Sequence, residues 1–221
     1  MSWLKRALGL EAPKPGTHST AVSSALQPPM GLAPGRMICI SPNLKGLLAG
    51  ESDVVVPADD KVWAVGTLDL GQSKRLVRYY LDNEDHFIQF VMSGPGADDI
   101  EDIILFGYYQ VTPVASKAEL LRLVGPDAKV GLPFFDLEGA QYIRQWGSED
   151  GQTEWVPLVE QVTNPQASYT ISHNSLLYAR DLGLTNRREF LFFSVEEDED
   201  GNVSLTASVG VSLQLTDLTV L

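Results

Sequence analysis

One run of residues near the C-terminus restricts the fold of this chain more than any other. Between positions 203 and 216 every second side chain is apolar (Val203, Leu205, Ala207, Val209, Val211, Leu213, Leu215), and the residues between them are Ser, Thr, Gly or Gln. Successive side chains of a strand point to opposite faces, so a period of two over this length predicts a long β-strand with one buried face. The preceding stretch, 188–195, is rich in Phe and reads as its neighbour, while 196–202, with Asp200-Gly201 at the tip, reads as the turn. A hairpin over 188–216 follows.

Earlier segments repeat the pattern. Apolar and aromatic runs over 62–70, 75–81 and 86–92 are separated by Gly71-Gln72-Ser73 and by Asp82-Asn83-Glu84-Asp85, and Gly94-Pro95-Gly96 closes the third. Short strands at this spacing predict an antiparallel meander. A further strand runs from about Ile103 through Val111 to Pro113. Helix signals are fewer: Ser116 and Glu119 stand at capping-box spacing before a run that Gly125-Pro126 stops, and 172–182 reads as a second short helix ended by Gly183. The fold class expected is α+β, mainly an antiparallel, strongly curved or barrel-like β-sheet with a few short helices.

Charge divides the chain. Its 29 acidic and 16 basic residues give a formal charge of -13 and a pI near 4.5. Residues 1–36 hold Lys5, Arg6, Lys14 and Arg36 against Glu11, a net +3, which leaves -16 on the remainder. An acidic body repels phosphate backbones, so nucleic acid is excluded as a partner. Trp3, Leu4, Ala7 and Leu8 share one helical face, with Lys5 and Arg6 off it, so 1–11 reads as a short basic amphipathic helix. Trp3, Leu4, Lys5, Arg6 and Leu8 are its candidate contacts with an anionic membrane surface or a partner groove. The apolar stretch after Arg6 is too short for a secretory signal core. Residues 12–36, with five prolines, read as a linker or extended strap. Residues 37–221 then form one β-rich domain. A single cysteine, Cys39, fits a reducing compartment, and no apolar run approaches the roughly 20 residues of a membrane span. The expected location is cytoplasmic, peripheral to the inner membrane.

Chemical signatures are sparse. His18, His86 and His173 lack metal-pair spacing, and Cys39, between two isoleucines, reads as a buried small hydrophobe. The turn at Gly94 has no Lys or Ser/Thr of a phosphate loop, and no cofactor motif occurs, so no cofactor is expected. Asp98, Asp99, Glu101 and Asp102 form a candidate cation site; the acidic run 196–200 does not match a calcium-loop spacing. In Tyr79-Tyr80 and Tyr108-Tyr109 alternation turns one ring of each pair away from the core, which makes these four tyrosines a candidate aromatic binding surface.

The basic opening from Ser2 to Leu10, the proline-rich segment, the run Arg78-Tyr79-Tyr80-Leu81-Asp82 followed by Phe87-Ile88-Gln89-Phe90, and the acidic hairpin near the C-terminus together resemble the YjfK-like family of bacterial proteins, a domain of unknown function. The resemblance covers nearly the whole chain and carries no site residues. What it implies is context: genes of that family tend to lie beside those for phage-shock-protein-A-like coiled-coil proteins, small multispanning membrane proteins and an ATP-grasp ligase resembling glutathionylspermidine synthetases, a setting of envelope stress or membrane remodelling. The leading expectation is a non-enzymatic binding or scaffolding module whose acidic body meets a basic or membrane-associated protein partner. The alternatives are a carboxylate-based or metal-assisted hydrolase or ligase accessory and an oligomeric structural protein paired through edge strands.

Overall fold

The computed structural model describes residues 26–221; the helix predicted over 1–11 and the larger part of the 12–36 segment lie outside the described residues. The chain order is β1 (Met37–Ile40), α1 (Pro42–Leu48), β2 (Asp60–Gly71), β3 (Lys74–Leu81), β4 (His86–Met92) and β5 (Ile100–Pro113). It continues with α2 (Lys117–Val124), β6 (Phe134–Leu137), β7 (Ala140–Arg144), β8 (Val156–Thr163), β9 (Ser168–Asp181), β10 (Arg188–Glu197), β11 (Val203–Leu213) and β12 (Leu218–Val220). Each strand pairing is antiparallel, and eight strands close on themselves in the order β2-β3-β4-β5-β11-β10-β9-β8, with β8 returning to β2. The expected curved sheet is thus an eight-stranded barrel. With two short α-helices among the described residues, the class is mainly β, not a balanced α+β.

Alternation assigns the faces. Residues such as Leu76, Arg78 and Tyr80 on β3, Phe87 and Gln89 on β4, and Ile104, Phe106 and Tyr108 on β5 pair in register around the inside. An eight-stranded barrel leaves just enough room for its own side chains. The opposite faces are also covered. Val77, Tyr79, Ile88 and Leu105 pack under Leu32, Ile38, Leu44 and Leu48 from the N-terminal part, whereas Tyr178, Leu191 and Phe193 pack under α2 and the β6-β7 hairpin. The Ser116 hydroxyl accepts from Glu119 N at 3.2 Å, the first half of the predicted capping box, whereas the Glu119 carboxylate accepts from Ala115 N at 3.0 Å, one residue before the N-cap.

Three expectations are corrected. The segment read as a helix over 172–182 is strand β9 up to its end at Asp181. Both faces of β9 are buried, with Ser175 and Ala179 inside and Leu176 and Tyr178 under the hairpin, so no clean alternation survives in its sequence. The long C-terminal strand stops at Leu213; Leu215 is exposed at the head of a 3-10 turn, Leu215–Asp217. Cys39 also departs from its reading: Ile38 and Ile40 turn inward and leave Cys39 partly exposed. Residues 26–36 lie on the barrel, where Leu32 is buried and Gln27 N donates to Pro95 O at 2.9 Å.

Candidate functional site

Inside the barrel, polar groups that the sequence spaces far apart meet. Glu160 on β8 is 0% exposed, and Arg78 on β3 and His173 on β9 are each 2% exposed. Burying ions costs several kcal/mol each unless partners replace water, and Glu160 has three. Arg78 Nη1 donates to Oε2 at 2.7 Å, the Tyr80 hydroxyl donates to Oε1 at 2.8 Å, and His173 Nε2 stands 2.8 Å from Oε2. Arg78 Nε donates to Gln89 Oε1 at 3.0 Å, and the guanidinium carbon lies 5.4 and 5.3 Å from the ring centroids of Phe87 and Phe192. On its other side His173 Nδ1 is 3.0 Å from Ser194 Oγ and 3.7 Å from Glu196 Oε1, which accepts from the Thr206 hydroxyl at 3.0 Å. Gly66 opposite Arg78 leaves the space Glu160 occupies: a Cβ there would collide with Oε1.

The cluster holds its own charge. Burial pushes the Glu160 carboxyl up, but Arg78, His173 and the Tyr80 hydroxyl more than offset this and leave it below the ordinary carboxylate value. Burial pushes His173 down, yet the Glu160 and Glu196 carboxylates reverse the sign and favour imidazolium. Tyr80 and Tyr108 are raised, first by burial and then by the nearby carboxylates, so both phenols stay protonated.

Two pockets open at opposite ends of the barrel. One, of about 300 Å³, stands over the cluster and is lined by Trp63, Tyr80, Tyr108, Tyr169, Glu84 and Glu196, with His86 beside them. Trp63 is the extra residue of a bulge in β2, between the pairs Val62–Leu81 and Ala64–Tyr80, which is how a bulge re-aims a side chain. The other pocket, of about 460 Å³, is mostly apolar, with Leu76, Val91, Leu158, Phe190 and Trp146 together with Gln89 on its wall.

The four candidate tyrosines do not make one surface. Tyr80 and Tyr108 meet inside the first mouth, Tyr79 is buried beneath the N-terminal part, and Tyr109 is 47% exposed on the outside, its hydroxyl donating to Glu138 at 3.0 Å. The acidic candidates are dispersed in their bonding. Asp99 accepts from Gly96 N, Glu101 pairs with Lys74 at 3.0 Å, and Asp102 accepts from Ile103 N and lines the apolar mouth, while Asp98 joins none of these contacts. Among the described residues no three His, Cys, Asp or Glu side chains stand where they could hold a metal ion. Trp3, Leu4, Lys5, Arg6 and Leu8 lie outside the described residues.

With this geometry in hand, comparison with known proteins becomes informative. Residues 3–219 match the family described as "Protein of unknown function (DUF2491)". The chain belongs to this family. It is also 26% identical over 183 residues, 79% of this chain and 82% of the other, to "Uncharacterized protein YjfK" of Escherichia coli (strain K12). No solved structure matches. In this DUF2491 protein no helix among the described residues is long and apolar enough to cross a membrane.

The residues that sequence reading missed in the DUF2491 barrel are Arg78, Gln89, Glu160, His173 and Glu196. Arg78 and Gln89 sit inside the two runs that carried the family resemblance, each between apolar neighbours in the middle of its strand. A polar side chain flanked by buried ones on a strand is the signal that could have marked them.

Proposed function

We propose that this DUF2491 protein is a non-enzymatic cytoplasmic binding module whose acidic barrel engages a basic protein partner, with its basic N-terminal residues in contact with an anionic membrane or with that partner. The observation that carries this reading is the aromatic and acidic mouth over a cluster whose carboxylate is fully engaged, with Nη2 the one nitrogen of the Arg78 guanidinium left buried without a hydrogen-bond partner among the described residues. Both oxygens of Glu160 are engaged, so the interior stabilises a shape and leaves the mouth to meet a ligand. The described chain begins at the other end of the barrel. Arg75 Nη2 donates to Gln27 O at 3.3 Å and Gln27 N bonds the turn between β4 and β5, so Gln27 stands at the apolar end, opposite the acidic mouth.

Titration of the full chain with a lysine-rich peptide and with a glutamate-rich peptide of equal length tests the partner class. Saturable binding of the basic peptide that weakens with salt is expected; equal binding of the acidic peptide overturns the reading. Flotation with anionic liposomes tests the N-terminal part, since deletion of residues 1–12 is expected to abolish recovery and equal recovery removes the membrane contact. One observation favours a second reading, catalysis: the Glu160 and Glu196 carboxylates both lie within 4 Å of a ring nitrogen of His173, 2.8 and 3.7 Å respectively. That reading requires hydrolysis of some ester or amide that His173→Ala abolishes while the fold persists.

A further inference from the structure

The barrel interior already shows how it accommodates one cation. Arg78 presents a planar guanidinium between the rings of Phe87 and Phe192 and places its charge on the Glu160 carboxylate. Nearer the solvent the same ingredients recur. Tyr108, Trp63 and Tyr169 supply ring surface, and Glu196, half-buried, supplies the carboxylate. The ten residues lining this mouth include two carboxylates and no lysine or arginine.

We propose that the mouth framed by Trp63, Tyr108, Tyr169 and Glu196 is a recognition site for a single organic cation, an alkylammonium or a guanidinium. Ring faces attract cations through their quadrupole, and a carboxylate at the edge of the same pocket fixes the charge. An anion would enter against Glu84 and Glu196, while the two cations beneath already stand against carboxylates, Arg78 on Glu160 and His173 between Glu160 and Glu196. An uncharged apolar group would have to strip water from Glu196 with nothing in return. Volume restricts the guest further. At about 300 Å³ the pocket lies at the low end of ligand sites and suits one side chain or one small amine, not a nucleotide or an oligosaccharide. The inference rests on the binding-module reading and narrows it: lysine or arginine of a protein partner and a free small amine share this chemistry. The raised Tyr108 and Tyr169 phenols agree with it, because burial comes first among their causes and the Glu160 carboxylate contributes to both.

Calorimetric titration of the full chain with n-butylammonium, n-butylguanidinium, butyrate and n-butanol tests the site. Saturable binding of the two cations alone is expected, weakened at least tenfold in Trp63→Ala and in Glu196→Gln. Thermal unfolding shows whether each variant is folded. Should either fail to fold, the indole resonance of Trp63 in the unaltered chain serves instead, and it is expected to shift on addition of n-butylammonium. Absence of saturable cation binding, equal binding of butyrate, or unchanged affinity in both folded variants overturns the site. A Gly-Ser peptide with one lysine, compared with its norleucine counterpart, separates the sources. If n-butylammonium binds and the lysine peptide does not, the guest is a small amine and the protein-partner reading fails while the site stands. If a lysine-rich peptide binds and both variants bind it unchanged, the partner reading stands and the site fails.

Discussion

The two ends of the barrel are made by the same eight strands and differ in what they show to solvent. At one end Trp63, Tyr108 and Tyr169 accompany Glu84 and Glu196; at the other, Leu76, Val91, Leu158, Phe190 and Trp146 form a mostly apolar wall. Between them run Arg78, Gln89, Glu160 and His173, joined by hydrogen bonds and ion pairs. The difference teaches that the polar interior partitions the barrel. Its ion pairs tie β3, β8 and β9 together across the interior, and the proposed binding is left to the asymmetry of the mouths.

The largest expected effect comes from breaking the partition itself. Glu160→Ala leaves Arg78 and His173 buried without their carboxylate, a loss of about 3–5 kcal/mol. For a chain of this size that lowers the melting temperature by about 6–20 °C, readable by calorimetry. Glu196→Gln at the mouth is expected to change it by less than about 3 °C, since its side chain is only partly buried. Gly66→Ala is expected to fall next, at about 1–3 kcal/mol, because the added methyl displaces Glu160 from its place inside.

Tyrosine replacements sharpen the inside–outside contrast with smaller effects. Tyr80→Phe removes a buried donor to Glu160 and is expected to cost about 1–2 kcal/mol. Tyr109→Phe removes an exposed bond to Glu138, and its melting temperature is expected to match the parent within error. Acidity probes the cluster as a whole. His173 is raised above its ordinary 6.5, so its contribution is fully present below that value and is lost as pH rises through the folded value. Glu160 is lowered below its ordinary 4.5, so its contribution is present above that value and is lost as pH falls through the folded value. Stability from this cluster is therefore greatest between the two ordinary values, and a pH series of melts on His173→Gln is expected to lose the alkaline decline.

How much of this the sequence carried depends on which faces a strand buries. The runs around 62–92 and 203–213 were legible as strands because alternation or aromatic and β-branched content survives in them. β9 was not, since the barrel interior covers one face and Leu176 and Tyr178 lie under the hairpin on the other. β8 escaped notice through Pro157. That proline stands where β8 pairs with β9 alone, since its pairing with β2 begins at Glu160, a position with one free strand edge where proline is tolerated. Of the site, Tyr80 and Tyr108 were among the four tyrosines that alternation marked, but alternation alone did not say which ring of each pair enters the barrel mouth. Glu160 and His173 were not marked, because only barrel closure brings β8 and β9 round to β3.

The central claim is that recognition occurs at the aromatic and acidic mouth, and two tryptophans report the two ends. Trp63 lines that mouth and Trp146 lines the apolar one. Titration of ¹⁵N-labelled protein with a lysine-rich peptide, following both indole N–H resonances, is the most direct measurement. A progressive shift of Trp63 with Trp146 unmoved is the predicted result. A shift of Trp146 with Trp63 unmoved contradicts the account.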